Sequence, residues 1–120
     1  DAERRTALLS AIRGGGAEPP DVASLTDLYH RDPVPMLRIL ERERLIVAVE
    51  PGRFYAVEEV ERLVTRLSDG MTEGREYSPS ELREVLGLSR KYLIPFLEYC
   101  DRKRITERRV TGRVRLPSNA

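Results

Sequence analysis

The apolar pattern of this chain occurs twice. Leu8, Leu9 and Ile12 fall on one helical face and reappear 55 residues later as Leu63, Val64 and Leu67. Leu25, Leu28 and Tyr29 reappear at an offset of 57 as Leu82, Val85 and Leu86, and by Leu45 and Ile105 the offset has grown to 60. The second copy should therefore have a slightly longer third helix. A compact unit needs only roughly 50 residues, so the 120 residues of the chain accommodate two very small domains.

Start and stop signals support the same division. In the first copy, a helix carrying Leu8 and Ile12 stops at Gly14-Gly15-Gly16. A second is expected to start at Ser24 as cap and to bury Leu25, Leu28 and Tyr29, and Asp32-Pro33 opens a third with Met36, Leu37 and Leu40 inward. Leu45 to Val49 and Phe54 to Val57 then read as a hairpin around Pro51-Gly52. In the second copy, Glu58, Glu59 and Glu61 favour a helix start, Val60, Leu63, Val64, Leu67 and Met71 keep its period, and Gly74 marks its end. Ser78-Pro79-Ser80-Glu81 is a capping box with Tyr77 at staple spacing to Leu82, and Gly87 suits the helix end. Ser89 caps a last helix burying Leu93, Phe96, Leu97 and Cys100, followed by strands at Ile105 to Val110 and Arg113 to Leu116 around Thr111-Gly112. Three helices and a hairpin, repeated, give a mainly α chain with small β-hairpins (α+β): two tandem winged-helix domains at 1–57 and 58–120.

Several functions are excluded from the same residues. One cysteine, Cys100, and one histidine, His30, leave neither a disulfide nor a zinc site, and His30 reads as a helix-end residue. The glycines at 14–16 lack the Lys and Ser/Thr of a phosphate-binding loop, no nucleophile arrangement is present, and Glu58 to Glu61 are explained by their helix start, so no catalysis is expected. No apolar run approaches the ~20 residues of a membrane span and no signal-peptide pattern is visible. The expectation is a cytosolic chain with no membrane partner, monomeric in this fragment.

The formal net charge of +1 conceals an uneven distribution. Residues 1–57 hold 8 Lys/Arg against 9 Asp/Glu, residues 58–88 hold 4 against 8, and residues 89–120 hold 9 against 3, a local charge of +6. Such a cluster is the footprint of a polyanion partner. Arg90 and Lys91 stand in the first turn after Ser89, where cations oppose the helix dipole and a bound phosphate would turn that repulsion into attraction. Arg108, Arg109, Arg113 and Arg115 crowd one hairpin with only Glu107 counted against them. Tyr92 and Tyr99 lie on one flank, where a tyrosine can stack on a splayed base or simply pack, and Pro95 predicts a kink or an irregular first turn.

The run Ser89-Arg90-Lys91-Tyr92-Leu93-Ile94-Pro95-Phe96-Leu97-Glu98-Tyr99-Cys100-Asp101, continued by Ile105-Thr106 and the arginine-rich hairpin around Gly112, resembles the last winged helix of the bacterial selenocysteine-specific elongation factors, the SelB family. Residues 1–57 resemble the winged helix before it, with the role of a spacer. The wing, from Glu107 to Arg115, follows the family pattern only loosely. The resemblance implies a C-terminal fragment that grips an mRNA hairpin marking a UGA codon for selenocysteine. It implies Ser89, Arg90, Lys91, Tyr92, Arg108, Arg109, Arg113 and Arg115 as RNA-binding residues. GTP, magnesium, selenocysteyl-tRNA and the ribosome would engage the full-length factor, leaving no cofactor in the fragment. Two other readings use the same residues differently: a duplex DNA-binding regulator with its third helix in a major groove, or a protein-interaction module based on the acidic helix at 58–71.

Overall fold

The computed structural model describes residues 2–118. Among them the elements run α1 (Ala2–Gly14), α2 (Val22–Tyr29), α3 (Val34–Arg42), β1 (Ile46–Glu50), β2 (Arg53–Ala56), α4 (Val57–Gly70), α5 (Pro79–Leu86), α6 (Arg90–Arg102), β3 (Thr106–Arg108) and β4 (Arg113–Arg115). The strands form two separate antiparallel hairpins, β1 with β2 and β3 with β4. The chain is thus mostly helical with small hairpins. It divides into two compact units, up to Glu61 and from Arg62 onward, so the division falls within α4 rather than before it. The first turn of α4 belongs to the first unit because the Val57 N–H donates to the Leu45 carbonyl at 3.1 Å and Arg13 Nε donates to Glu58 at 2.9 Å.

In the first unit, Leu8, Ile12, Leu25, Tyr29, Leu37, Leu40, Ile46, Phe54 and Ala56 form one core. Three local expectations are corrected. The cap of α2 is Asp21, not Ser24: the Asp21 carboxylate accepts the Ser24 N–H at 2.9 Å, and the Val22 N–H is already taken by Gly52 O at 2.8 Å. A carboxylate at that position also meets the positive end of the helix. Asp32 accepts the Val34 N–H at 3.0 Å from one position further out, with Pro33 as the cap residue and the helix starting at Val34. Leu28 is 48% exposed, because it lies about 80° around the helix from the middle of the Leu25–Tyr29 seam.

The second unit buries Leu63, Leu67, Leu82, Leu86, Leu93, Phe96, Leu97, Cys100 and Val114. Its first helix ends at Gly70, not Gly74. The Tyr77 hydroxyl accepts the Thr72 N–H at 2.7 Å, taking the amide that would have extended the helix. The capping box at α5 is complete in both directions, Glu81 N–H to Ser78 Oγ at 3.2 Å and Ser78 N–H to Glu81 Oε1 at 3.0 Å. Gly87, at φ 69°, ends α5 in the left-handed conformation that glycine adopts without penalty. α6 has 13 residues against 9 in α3 and runs on through Pro95, which has no N–H to offer the Lys91 carbonyl. Both third helices end alike: Arg44 N–H bonds Glu41 O and Leu45 N–H bonds Leu40 O, as Arg104 N–H bonds Asp101 O and Ile105 N–H bonds Cys100 O. Arg44 and Arg104 are both left-handed, at φ 62° and 61°.

The wing of the second unit is shorter than its sequence suggests, with Thr106 facing Arg115, Glu107 facing Val114 and Arg108 facing Arg113. It gains a one-residue third strand. Tyr77 and Arg113 exchange backbone hydrogen bonds at 2.8 and 2.9 Å, just before α5 begins. Gly112 is what lets the chains approach so closely, since a Cβ there would collide with the Tyr77 carbonyl oxygen. Gly112→Ala is therefore expected to cost about 1–3 kcal/mol through backbone overlap, read as a lowered urea midpoint.

Candidate nucleic-acid interface

The two helices that meet in the second unit begin differently. At α5 the Ser78 hydroxyl and the Glu81 carboxylate close the helix start, while at α6 the cap residue Ser89 has the extended backbone of a cap, φ −71° and ψ 159°, without any side-chain cap bond. The first amides of a helix have no partner within it. At α6 the Ser89 carbonyl accepts the Tyr92 and Leu93 N–H groups at 3.1 and 2.9 Å, and the Arg90 and Lys91 N–H groups find no acceptor among the described residues. No acidic residue occupies this first turn. The expectation that Ser89 caps with its hydroxyl is corrected to an open start.

Ser89, Arg90, Lys91 and Tyr92 are brought together on this turn. Ser89, Arg90 and Lys91 are exposed, and Lys91 Nζ lies 5.4 Å from the centroid of the half-buried Tyr92 ring. Tyr99 is not on an exposed flank: it is buried, stacks on Phe96 with centroids 6.1 Å apart, and burial raises its hydroxyl pKa. An uncapped helix start with two adjacent cations can take a phosphate oxygen on its amides and its charge on the guanidinium and ammonium.

The wing arginines split into two pairs. Arg108 is exposed, with no side-chain partner among the described residues. Arg109 is exposed and paired with Glu107, Nε to Oε2 at 2.8 Å. Arg113 and Arg115 do not lie open on the wing surface as Arg108 and Arg109 do; both are tied into the fold. Arg113 is 4% exposed and grips Asp101 in the last turn of α6, Nε to the two carboxylate oxygens at 3.1 and 3.0 Å and Nη2 to Oδ2 at 3.0 Å. Thr106 Oγ1 donates to the same carboxylate at 2.6 Å. Arg115 is half-buried, with Nε donating to the Met71 carbonyl at 2.9 Å.

Sequence reasoning counted Glu107 alone against the wing arginines and missed two carboxylates. Asp101 carried a signal, since an acid in the last turn opposes the negative helix end and calls for a cation. Glu76 carried none. It lies 35 residues from Thr111, whose N–H donates to it at 2.7 Å and whose hydroxyl also donates to it. Hydrogen bonds from Thr111 hold the Glu76 carboxyl below its ordinary value near 4.5. With Arg109 N–H on Gly112 O at 2.6 Å, these bonds fix the wing tip and present Val110 fully exposed at its end. Cys100, buried under the same unit, has its thiol pushed up to about 12 by burial, so it is no thiolate nucleophile.

Among the described residues no cluster of His, Cys, Asp and Glu could hold a metal ion, and no helix is long and apolar enough to cross a membrane.

Removing one partner of a buried pair leaves the other uncompensated, so Arg113→Met should destabilise by about 3 kcal/mol, whereas Arg108→Gln should stay within about 0.5 kcal/mol; paired urea melts compare them. The Glu76–Thr111 interaction stabilises the wing tip above the ordinary glutamate range and is lost as the pH falls below about 4.5. In a pH series of amide spectra, Thr111 should move below that value and Glu76→Gln should abolish the transition.

Residues 71–115 match the family described as "Elongation factor SelB, winged helix". The chain is similar to the selenocysteine-specific elongation factor of Desulfomicrobium baculatum, 28% identical over 107 residues, which are 87% of this chain and 17% of that protein. It thus spans about a sixth of the length of that relative. Among solved structures it is similar to the mRNA-binding domain of elongation factor SelB from E. coli in complex with SECIS RNA, with a TM-score of 0.77, 25% identity, and 98% of this chain and 100% of that one covered. It also shares the fold of part of a bacterial selenocysteine-specific elongation factor, EF-Sec, with a TM-score of 0.76, 23% identity, and 96% of this chain and 18% of that one covered. Residues 71–115 thus match a winged helix of the SelB elongation-factor family, and the relatives that also match the remaining residues are selenocysteine-specific elongation factors.

Proposed function

We propose that the second unit binds an mRNA hairpin, a selenocysteine insertion element, and so directs selenocysteine incorporation at UGA codons as part of a translation elongation factor. The observation that carries this reading is the open, cationic start of α6, where two unclaimed amides stand beside Arg90 and Lys91. The similarity to a SelB domain solved in complex with SECIS RNA supports it. The narrow major groove of A-form RNA excludes a helix, so the hairpin is held by its phosphates and by bases exposed in its loop. The start of α6 supplies phosphate contacts, Tyr92 a face for a base, and Arg108 and Arg109 a second line of charge along the wing.

In this reading both units are winged helices, since the first unit repeats three helices and a hairpin and even the left-handed arginine at the end of its third helix. The first is a spacer and the second the RNA-binding domain. The chain itself is not an enzyme and holds no cofactor. GTP, magnesium, selenocysteyl-tRNA and the ribosome are the business of the full-length factor, which acts in the cytoplasm.

Arg90→Gln/Lys91→Gln should weaken binding of the hairpin by at least about tenfold, because each charge-assisted hydrogen bond removed costs about 1.5 kcal/mol or more. The slope of log K against log salt should fall by about 0.7–0.9 for each phosphate that the variant no longer neutralises. Fluorescence titration over a salt series, with random duplex DNA as competitor, tests both. Equal affinity of the variant, or displacement of the hairpin by duplex DNA at equal concentration, would overturn the reading.

A further inference from the structure

The far end of α6 carries a second basic site that hairpin binding at the helix start does not use. A cavity of about 240 Å³ opens there, lined by Ser68, Lys103, Arg104, Arg115 and Ser118 together with four apolar residues from α4 and from the chain on either side of the wing. Three cations and two hydroxyls face it, and its described lining contains no carboxylate. The cations come from separate pieces of chain, the turn after α6 and strand β4. Arg115 is fixed through Nε on the Met71 carbonyl at 2.9 Å, and its terminal nitrogens have no other partner among the described residues. Arg104 is held in the left-handed conformation at φ 61°, with its nearest carboxylate, Glu107, at the outer limit of pairing, 4.0 Å. Among the described residues, Lys103 Nζ has only the Tyr99 ring, 5.8 Å to the centroid. The 13 residues of α6 separate this pocket from Arg90 and Lys91 by about 20 Å.

We infer that this pocket is a second phosphate site, taking a phosphodiester of a nucleic-acid segment other than the one held at the start of α6. Convergent cations and hydroxyl donors suit a phosphate oxygen cluster, and the absence of acid from the lining leaves the positive potential unopposed. The second unit would then hold two nucleic-acid segments at opposite ends of one helix.

The test uses the 120-residue chain, isotope-labelled, titrated first with inorganic phosphate and then with a short single-stranded RNA that forms no hairpin. The amides of Lys103, Arg104, Ile105 and Arg115 should shift and saturate, both in the parent chain and in Arg90→Gln/Lys91→Gln. In Lys103→Gln/Arg104→Gly the shifts should vanish, and the slope of log K against log salt for the short RNA should fall by about 0.7, one neutralised phosphate on a single strand. Glycine suits the left-handed position, so this variant should melt no lower than the parent, which separates impaired binding from impaired folding. Saturating shifts that persist in Lys103→Gln/Arg104→Gly, or shifts spread over all surface cations without saturation, would overturn the proposal. A polyglutamate peptide that moves the same amides as strongly as RNA would overturn the nucleic-acid assignment. Failure of hairpin binding at Arg90 and Lys91 leaves this titration unaffected, so the two readings fail separately.

Discussion

The second unit depends on the carboxylate of Asp101. It accepts from Arg113 on β4 and from Thr106 on β3, so one group in the last turn of α6 anchors both strands of the wing. Each partner alone would be costly: a buried guanidinium, a fully buried hydroxyl, and an acid at the negative end of a helix. Together they satisfy one another, and no buried side-chain polar atom among the described residues is left unpartnered. Arg113 contributes again through its backbone, which exchanges two hydrogen bonds with Tyr77 and draws the segment before α5 onto the wing. One residue thus ties the end of α6, the wing and the start of α5 into a single body.

That body explains the division among the arginines. Charge density along the sequence does not distinguish an arginine that meets a ligand from one that meets an aspartate, and all four wing arginines look equivalent by composition. In the fold, Arg113 is consumed by Asp101 and Arg115 is anchored through Nε alone on the Met71 carbonyl, while Arg108 and Arg109 lie at the surface. Arg90, Lys91, Lys103 and Arg108, which pair with no carboxylate among the described residues, accordingly stand at the two ends of α6 and on the hairpin.

The order of elements was legible because it rests on local physics: helical periodicity, the Ser78–Glu81 capping box, Gly87, and the apolar run from Leu93 to Cys100 all act within a few residues. Where sequence reasoning failed, the deciding partner was distant in sequence. The end of α4 is set by the Tyr77 hydroxyl on Thr72, the cap of α2 shares its work with Gly52, and the wing tip is held by Glu76. The helix-start cations Arg90 and Lys91 were legible as an electrostatic anomaly, since nothing local compensates them. The basic pocket beyond α6 was not, because Ser68 and Arg115 lie 47 residues apart in sequence and meet only in the fold.

The unequal starts of α5 and α6 have a thermodynamic consequence. A helix whose first amides are closed by its own side chains is complete when folded, whereas α6 folds with those donors unspent and two like charges beside them. An anion that fills the gap binds only the folded form, so its binding energy is added to folding stability. Ligand and fold are therefore linked: a bound anion completes a helix start that the chain leaves unfinished, and a protein deprived of such a ligand is also a protein nearer to unfolding.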